Sequence, residues 1–318
     1  MRQRSILVLS LALLIALAGC GAGGGAGGSS TSPTAVLSSQ QPDAAQSPSV
    51  PSDDIAFVRH NHVWRVHADG TEPEQMSRGA GVDFSPAWSP DRTHVAYIHT
   101  PGTGPQGDSV CEVPASGGQA TTWRFDHTLL SLCYSPDGSR IALATRATTD
   151  EPLAHVSVLS RATGTTTVVC RLHDPFIEGM TVSWSPDGAR LLLGKSRTDA
   201  DGQRSGILTL ASGRVVWLPT RDACAARWSP DGRSIVVDQS TQDYTAVSIA
   251  DIRGRIRRTL LRGGGWVVTP PPVFGGCYSP SGARIAYSYG KAIWTISIDG
   301  GHKRRVVALG SQPAWSAR

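Results

Sequence analysis

The stretch WSPDG at residues 184–188 decides the fold, because close copies of it recur along the chain. The copies are WSPD at 88–91, YSPDG at 134–138, WSPDG at 228–232, YSPSG at 278–282 and a final Trp315–Ser316. The spacing of their serines, at 89, 135, 185, 229, 279 and 316, gives a repeat of roughly 40 to 50 residues. A repeat of that length is typical of propeller blades, solenoid units or arrays.

Each copy predicts a tight turn between two strands. Pro presets the φ angle of the second turn position, Asp tolerates the third, and Gly accepts the strained position that follows. A short apolar run comes next in every repeat: HVAYI at 94–98, RIALA at 140–144, RLLLG at 190–194, SIVVD at 234–238 and RIAYS at 284–288. Such runs, rich in β-branched residues and bounded by turn signals, indicate strands buried on both faces.

A second hairpin with a glycine-containing turn completes each repeat, at 109–125, 155–172, 206–218, 246–261 and 292–309. Each repeat therefore has four antiparallel strands, A to D, with the A–B pair joined by the SPDG turn. Four strands per repeat and about six repeats predict an all-β protein, a six-bladed β-propeller. No long segment has the 3.6-residue period of a helical solenoid.

The two ends of the chain complement each other. Residues 55–77 supply strands B, C and D without a turn phrase before them, and 313–318 supply a strand A with nothing after it. We therefore expect the propeller to span 53–318, with the last blade closed by C-terminal strand A and N-terminal strands B–D. Such closure hides sheet edges that would otherwise invite aggregation, and an open β-solenoid would leave the complementary ends unexplained.

The repeated WSPDG phrase, followed by an apolar strand and a glycine-turn hairpin, resembles the WD-like repeat of TolB-type six-bladed propellers. The resemblance covers about residues 54–318 and implies the fold. It does not imply one function, because similar repeats occur in periplasmic scaffold proteins and in the propeller caps of prolyl-oligopeptidase-type peptidases. TolB itself carries an α/β domain ahead of its propeller. This sequence has only a low-complexity segment there, which argues against a literal Tol–Pal role.

The N-terminus predicts a bacterial lipoprotein. Arg2 and Arg4 precede an apolar stretch, and residues 17–20, LAGC, resemble a lipobox in which the signal peptide (1–19) is removed and Cys20 is acylated. An ordinary signal peptide with a chance cysteine is the alternative. Residues 20–52 are rich in Gly, Ser and Pro and predict a disordered tether. We expect lipid anchoring at the extracytoplasmic face of the bacterial cell membrane, with two or more acyl chains for a stable anchor.

The charge of the chain excludes a nucleic-acid partner. The formal net charge is +5, and removal of Arg2 and Arg4 with the signal peptide leaves +3, with no stripe of Arg interleaved with aromatics. The densest basic cluster comprises Arg253, Arg255, Arg257, Arg258 and Arg262. Protection of an outer sheet edge explains most of it. Contact with anionic lipid or a cell-wall polymer is the alternative.

Five cysteines follow Cys20: Cys111, Cys133, Cys170, Cys224 and Cys277. An odd number leaves at least one unpaired. Cys133 and Cys277 occupy the same repeat position on opposite blades, too far apart for a disulfide. Most of these cysteines are expected to be small buried residues. One disulfide bridge between neighbouring blades is the alternative.

Motifs for catalysis, cofactors and metals are missing from the sequence. It has no G-x-S-x-G elbow, no P-loop and no C-x-x-C. His60 and His62 flank a predicted turn near His67, and exposed loop histidines are favoured over a metal site. Asp199 and Asp201 resemble the start of a calcium loop, but Leu210 stands where the bidentate Glu belongs. We expect no cofactor and no metal, and we favour a binding protein over an enzyme.

Loop length indicates the binding face. The A–B and C–D turns are short and uniform, whereas irregular segments at 100–108, 146–153, 173–179, 196–205 and 262–276 lie on the opposite face. Function in a propeller usually lies in such loops. Trp266 and Phe274 in the longest loop, flanked by Arg221 and Arg262, are the candidate ligand-binding residues, although both aromatics are equally suited to packing on blade five.

The sequence therefore predicts a monomeric, membrane-tethered propeller that binds a protein, peptide or cell-envelope ligand on its long-loop face. A lyase or hydrolase with a site in the central channel is one rival, but no convergent set of carboxylates or histidines appears. A lectin-like binder of envelope glycans is the other, and the nine tryptophans are compatible with it.

The anchoring hypothesis is tested at Cys20. Cys20→Ser removes the thiol that would be acylated, so the protein should leave the membrane fraction and appear in the soluble fraction. Immunoblotting of fractionated cells measures this. Equal partitioning of wild type and variant would show that the lipobox interpretation is wrong.

Overall fold

The computed structural model describes residues 53–102, 107–146, 154–172, 177–197, 203–241, 243–264 and 273–316. Every regular element in these ranges is a β-strand, and no helix there is long and apolar enough to cross a membrane. The predicted signal peptide, Cys20 and tether lie outside these residues, so the boundaries at 19 and 52 stay predictions.

Twenty-four strands follow one another along the chain. They are β1 Asp54–Arg59, β2 His62–His67, β3 Glu74–Gln75, β4 Val82–Trp88, β5 His94–Thr100, β6 Ser109–Pro114, β7 Thr121–Arg124, β8 Leu129–Tyr134, β9 Arg140–Thr145, β10 Ala154–Ser160, β11 Thr166–Leu172, β12 Ile177–Trp184, β13 Arg190–Arg197, β14 Arg204–Thr209, β15 Arg214–Trp217, β16 Ala223–Trp228, β17 Ser234–Ser240, β18 Tyr244–Asp251, β19 Ile256–Gly264, β20 Val273–Tyr278, β21 Arg284–Tyr289, β22 Ala292–Ser297, β23 Arg304–Val307 and β24 Ser311–Trp315.

The strands form six four-stranded antiparallel sheets, which confirms the predicted six-bladed propeller. Strands β4–β7, β8–β11, β12–β15, β16–β19 and β20–β23 make blades 1 to 5 in the order A to D. Blade 6 has the order β24-β1-β2-β3, so it joins the two ends of the chain as expected. We call the side with the A–B and C–D turns the turn face, and the side with the B–C and D–A connections the loop face.

The SPDG turn is held by its own serine and aspartate. Ser229 Oγ donates to Asp231 Oδ1 (2.6 Å) and accepts from Ser234 N (3.0 Å), while Asp231 Oδ1 accepts from Arg233 N (3.1 Å). Ser135 and Ser185 make the same bonds. The serine hydroxyl is buried in each case, so the turn satisfies polar groups that would otherwise lose water at the sheet end.

Glycine ends four of these turns in the left-handed region, for example Gly232 with φ 68°. The first copy has Arg92 there instead, and Arg92 takes φ 61°. The fifth copy has Ser281 in place of Asp, and its hydroxyl lies 3.1 Å from Ser279 Oγ. The turn geometry therefore tolerates a substitution at one position when the buried serine is kept.

Strand A is the innermost strand of each blade, so its inner edge has no partner strand. A side chain of the preceding blade bonds to the strand A backbone at each of the six interfaces. These bonds are Leu132 N to Ser85 Oγ (3.2 Å), Val182 N to Ser131 Oγ (3.0 Å), Trp228 N to Ser183 Oγ (3.3 Å), Gly275 N to Asp238 Oδ2 (2.7 Å), Cys277 Sγ to Pro313 O (3.3 Å) and Ser85 N to Gln312 Oε1 (2.7 Å). The ring is thereby linked all round its inner edge.

The hydrophobic core lies between blades. The central part of each B strand is buried on both faces, as in residues 95–98 of β5 and 191–193 of β13. The aromatics of the turn phrases Trp88, Trp184, Trp228 and Trp315 are buried and belong to the core. All five cysteines of the described chain are free thiols, so the open question of a bridge between neighbouring blades is answered against one.

Ring closure rests on the pairing of β24 with β1. Ile55 pairs with Trp315, and Ser316 donates its N–H to Asp54 O (2.8 Å). Deletion of residues 312–318 should therefore lower the free energy of unfolding by several kcal/mol, since truncation of a buried Trp alone costs about 3 to 5 kcal/mol. Denaturant unfolding measures the change.

Val216→Ala is the control for ring closure, because Val216 lies on an outer strand and is 51% exposed. It should change the free energy of unfolding by less than about 0.5 kcal/mol. A deletion variant as stable as this control would contradict closure through β24.

Candidate functional site

Four residues of the loop face form a contiguous polar cluster at blade 4: Arg221, Asp222, Tyr244 and Arg262. The Arg262 guanidinium carbon lies 5.1 Å from the centre of the Tyr244 ring, and Tyr244 Oη donates to Asp222 Oδ2 (3.5 Å). Arg221 precedes Asp222 in the connection between β15 and β16, and its carbonyl accepts from Gln239 Nε2 (3.2 Å). We call this set the loop-face cluster.

The sequence placed Arg221 and Arg262 in two D–A loops, and this is wrong for Arg262. Strand β19 pairs with β18 as far as Gly264, so Arg262 lies opposite Ala246 within the sheet. Arg262 and Asp222 both contact Tyr244, and Arg221 adjoins Asp222 in the chain. The predicted placement of the two arginines beside Trp266 stays a prediction, because Trp266 lies outside the described residues.

The electrostatics of the loop-face cluster favour an anionic ligand. Arg221 and Arg262 are both exposed. Burial is the main cause that raises the pKa of Tyr244, and the neighbouring Asp222 raises it further, so the phenol stays neutral and can donate. An arginine held over an aromatic ring can still donate its N–H groups to carboxylates and loses less side-chain freedom on binding than a free one.

The two predicted aromatics, Trp266 and Phe274, stay predictions as ligand contacts. Trp266 lies outside the described residues, as do Asp199 and Asp201. Phe274 belongs to β20, the inner strand of blade 5. The sequence analysis missed Tyr244 and Asp222. Tyr244 follows a B–C connection and Asp222 lies in a D–A connection, and the only clue in the sequence was that both kinds of connection lie on the loop face.

A buried carboxylate joins blades 6 and 1 on the loop face. Asp83 accepts from His99 Nδ1 (2.7 Å), His62 Nδ1 (3.2 Å) and Ser77 Oγ (2.5 Å). The sequence had suggested an exposed loop histidine at His62, and this is wrong. The imidazole is half-buried against Asp83, which lies 21 residues further along the chain. His60 is exposed and takes φ 50° in the two-residue turn before β2. The His62 imidazole links blade 6 to blade 1, and the His99 imidazole pairs with Asp83 inside blade 1, so both have structural contacts.

The channel side of the inner strands carries one basic residue, Arg227 in β16. Its Nη1 donates to Gly276 O (3.1 Å). The nearby Asp238 is buried and accepts from Gly275 N and Gly276 N; burial raises its pKa, against the influence of Arg227. The glycine is required here, since a Cβ on Gly276 would stand 3.0 Å from Asp238 Oδ1.

The channel cysteines are not set up as nucleophiles. Burial raises the pKa of Cys133 and Cys224 to about 12 and that of Cys277 to about 11. They are therefore thiols, not thiolates, at neutral pH. Within the described ranges, no group of three or more His, Cys, Asp or Glu side chains is arranged to hold a metal ion.

Comparison with known proteins agrees with this architecture. Residues 49–318 match the model of the TolB beta propeller domain. The chain belongs to the TolB β-propeller domain family. A propeller of this family is, in general terms, a scaffold for protein binding. No curated protein sequence is detectably similar to the chain.

Solved structures with the same fold are distant in sequence. TolB from Acinetobacter baumannii is 19% identical with a TM-score of 0.69, over 84% of this chain and 67% of that one. A chain of the nidogen/laminin complex is 12% identical with a TM-score of 0.65, over 83% and 98%. A chain of Kuenenia stuttgartiensis hydrazine synthase is 16% identical with a TM-score of 0.56, over 75% and 71%. These similarities show the fold alone.

His67 forms a separate acid-base cluster on the turn face of blade 6. Its Nδ1 lies 2.6 Å from Asp54 Oδ1 and its Nε2 lies 3.1 Å from Glu72 Oε2. The hydrogen bond to Asp54 is the main cause that raises the pKa of His67 above 6.5; burial opposes it, and the bond to Glu72 adds to it. Protonated His67 therefore stabilises the fold below about pH 6.5, and this contribution is lost as the pH rises through the folded-state pKa.

His67→Gln tests this linkage, because glutamine keeps a hydrogen-bond donor but cannot gain a charge. The wild type should exceed the variant in melting temperature by a larger margin at about pH 5.5 than at about pH 8. Differential scanning fluorimetry at both pH values measures the margin. An equal margin at both would rule out protonation of His67 as its origin.

Proposed function

We propose that this protein is a membrane-tethered, extracytoplasmic binding scaffold that takes an acidic protein or peptide segment on its loop face. The observation that supports this best is the loop-face cluster, in which two exposed arginines stand at one end of blade 4 and one of them lies on Tyr244. Arginine and tyrosine commonly supply most of the energy of a protein interface.

The construction of the propeller supports binding on this face. The cluster residues lie at strand ends of a sheet that is paired on all four strands, so the scaffold holds them before a ligand arrives. A preformed site loses less entropy on binding than a mobile one. Trp266 belongs to the connection that follows β19, next to Arg262 in the chain, and stays the predicted aromatic contact.

The anchor is part of the proposal. Acylation of Cys20 would place the chain at the outer face of the bacterial membrane, and residues 21–52 would give the propeller a reach on the order of 30 Å. We expect it to act there as a monomer.

Site-specific crosslinking tests the binding face. A photo-crosslinking amino acid at position 221 on the loop face should capture a partner in intact cells, which mass spectrometry then identifies. Position 216, exposed on the outer strand of blade 3, is the control and should not capture the same partner. Capture from 216 but not from 221 would remove the loop face from consideration.

Two variants test the contribution of single residues once the partner is known. Trp266→Ala and Arg262→Gln should each weaken binding by roughly 1 to 4 kcal/mol and leave the melting temperature nearly unchanged. Arg124→Gln, an exposed arginine at the loop-face end of blade 1, should bind like wild type. Isothermal titration calorimetry measures affinity. A binding loss that is matched by unfolding would contradict the assignment.

A further inference from the structure

The C–D turns of the propeller differ in charge from blade to blade. Residues 251–258 of blade 4 and 298–305 of blade 5 together carry seven Arg or Lys and two Asp. The corresponding turn of blade 1, 114–121, has no charge, and those of blades 2 and 3, 160–166 and 209–214, have one Arg each. Because all these turns close the same kind of hairpin, the fold does not require the positive charge of blades 4 and 5.

Exposed isoleucines accompany the basic residues. Ile252, Ile256 and Ile298 are 37%, 40% and 41% exposed. The basic side chains around them are all exposed: Arg253, Arg255, Arg257, Arg258, His302, Lys303, Arg304 and Arg305. We call residues 251–258 and 298–305 the basic turn patch. It combines cations with exposed isoleucine side chains. Protection of a sheet edge needs only the cations, so it does not explain the isoleucines.

Backbone contacts make the patch continuous with the turn of blade 6. Arg258 Nη1 donates to Asp299 O (2.6 Å), which links blades 4 and 5. Arg304 Nη2 donates to Asp69 O (2.5 Å), which links blades 5 and 6. Ala68 N in turn donates to Asp53 O (2.8 Å). The described chain therefore begins on the turn face, one blade away from the patch.

Acidic residues near the patch are bound within their own blades. Asp251 pairs with Arg257 (2.6 Å), and Asp69 Oδ1 accepts from Thr71 N (2.9 Å). In blade 6, Glu74 pairs with Arg65 (2.5 Å) and Glu72 bonds to His67 (3.1 Å). Arg253, Arg255, Lys303 and Arg305 make no side-chain ion pair within the described residues, so the patch keeps its excess of positive charge.

We propose that the basic turn patch docks on an anionic lipid bilayer, with its isoleucines at the interface and its cations against the headgroups. Each basic residue near an anionic membrane surface adds electrostatic attraction. The exposed isoleucine side chains can also be buried in the apolar part of a bilayer, which a soluble polyanion lacks. The inference rests on the proposed anchor in one respect: the acylated tether would leave the propeller from this same face and hold the patch within reach. The loop face then points away from the membrane, toward a partner.

Vesicle co-sedimentation tests the patch without the anchor. The full chain carrying Cys20→Ser should bind vesicles of phosphatidylglycerol and phosphatidylcholine, should not bind pure phosphatidylcholine, and should bind less as salt is raised. Arg253→Gln/Arg255→Gln/Lys303→Gln in that background should lower the partition coefficient on the order of 100-fold, at about fivefold per charge.

A control variant removes the same charges from the other face. Arg78→Gln/Arg124→Gln/Lys291→Gln also loses two arginines and one lysine, all exposed and on the loop face. It should bind anionic vesicles like the parent. Equal losses in the patch and control variants would overturn the proposal, because binding would then reflect net charge alone.

The isoleucines separate a bilayer from a polyanion in solution. Ile252→Ser/Ile298→Ser should weaken binding to anionic vesicles and leave retention on soluble polyphosphate unchanged. If vesicle binding does not change, the patch is a polyanion site and the bilayer proposal fails. Failure of the anchor is distinguishable, because it shows in fractionation of the wild type and not in vesicle binding of the Cys20→Ser protein.

Discussion

The propeller depends on hydrogen bonds to the backbone groups at the inner edge of each blade. A four-stranded sheet leaves strand A with unpaired backbone groups, and six such edges meet around the axis where no further strand fits. One side chain per interface solves this, through Ser Oγ at three of the six interfaces and through Asp238, Cys277 and Gln312 at the others. Serine suits three of the interfaces because the blades approach closely there, and the longer Asp238 and Gln312 serve two others.

Closure of the ring follows from the same requirement. Without β24, the inner edge of β1 in blade 6 would lose its partner, and the buried Trp315 would leave a cavity between blades. On the loop face, Asp83 of blade 1 bonds to His62 of blade 6 and so links these two blades beside the closed blade. The contacts of Asp83, His62 and His99 are therefore structural, whereas the two arginines of the loop-face cluster are exposed.

The two faces of the ring differ in chemistry. The loop face presents Arg262 over the Tyr244 ring near the end of β19, together with the exposed Arg221, an arrangement suited to carboxylates. The turn face presents cations with isoleucines on two neighbouring blades, a combination suited to a charged interface with an apolar interior. A ring with two chemically distinct faces can attach by one face and bind a partner with the other.

The sequence by itself determined the blade count, the strand order and the closure of blade 6, because the turn phrase recurs once per blade and keeps its Ser in every copy and its Pro, Asp and Gly in most. It also identified Arg221, Arg262 and the arginines of residues 253–258. Only the tertiary structure paired His62 with Asp83, placed Arg262 on Tyr244 and joined the turns of blades 4, 5 and 6. Those contacts join residues far apart in the chain, and local propensity contains no information about which distant side chain a folded sheet brings near.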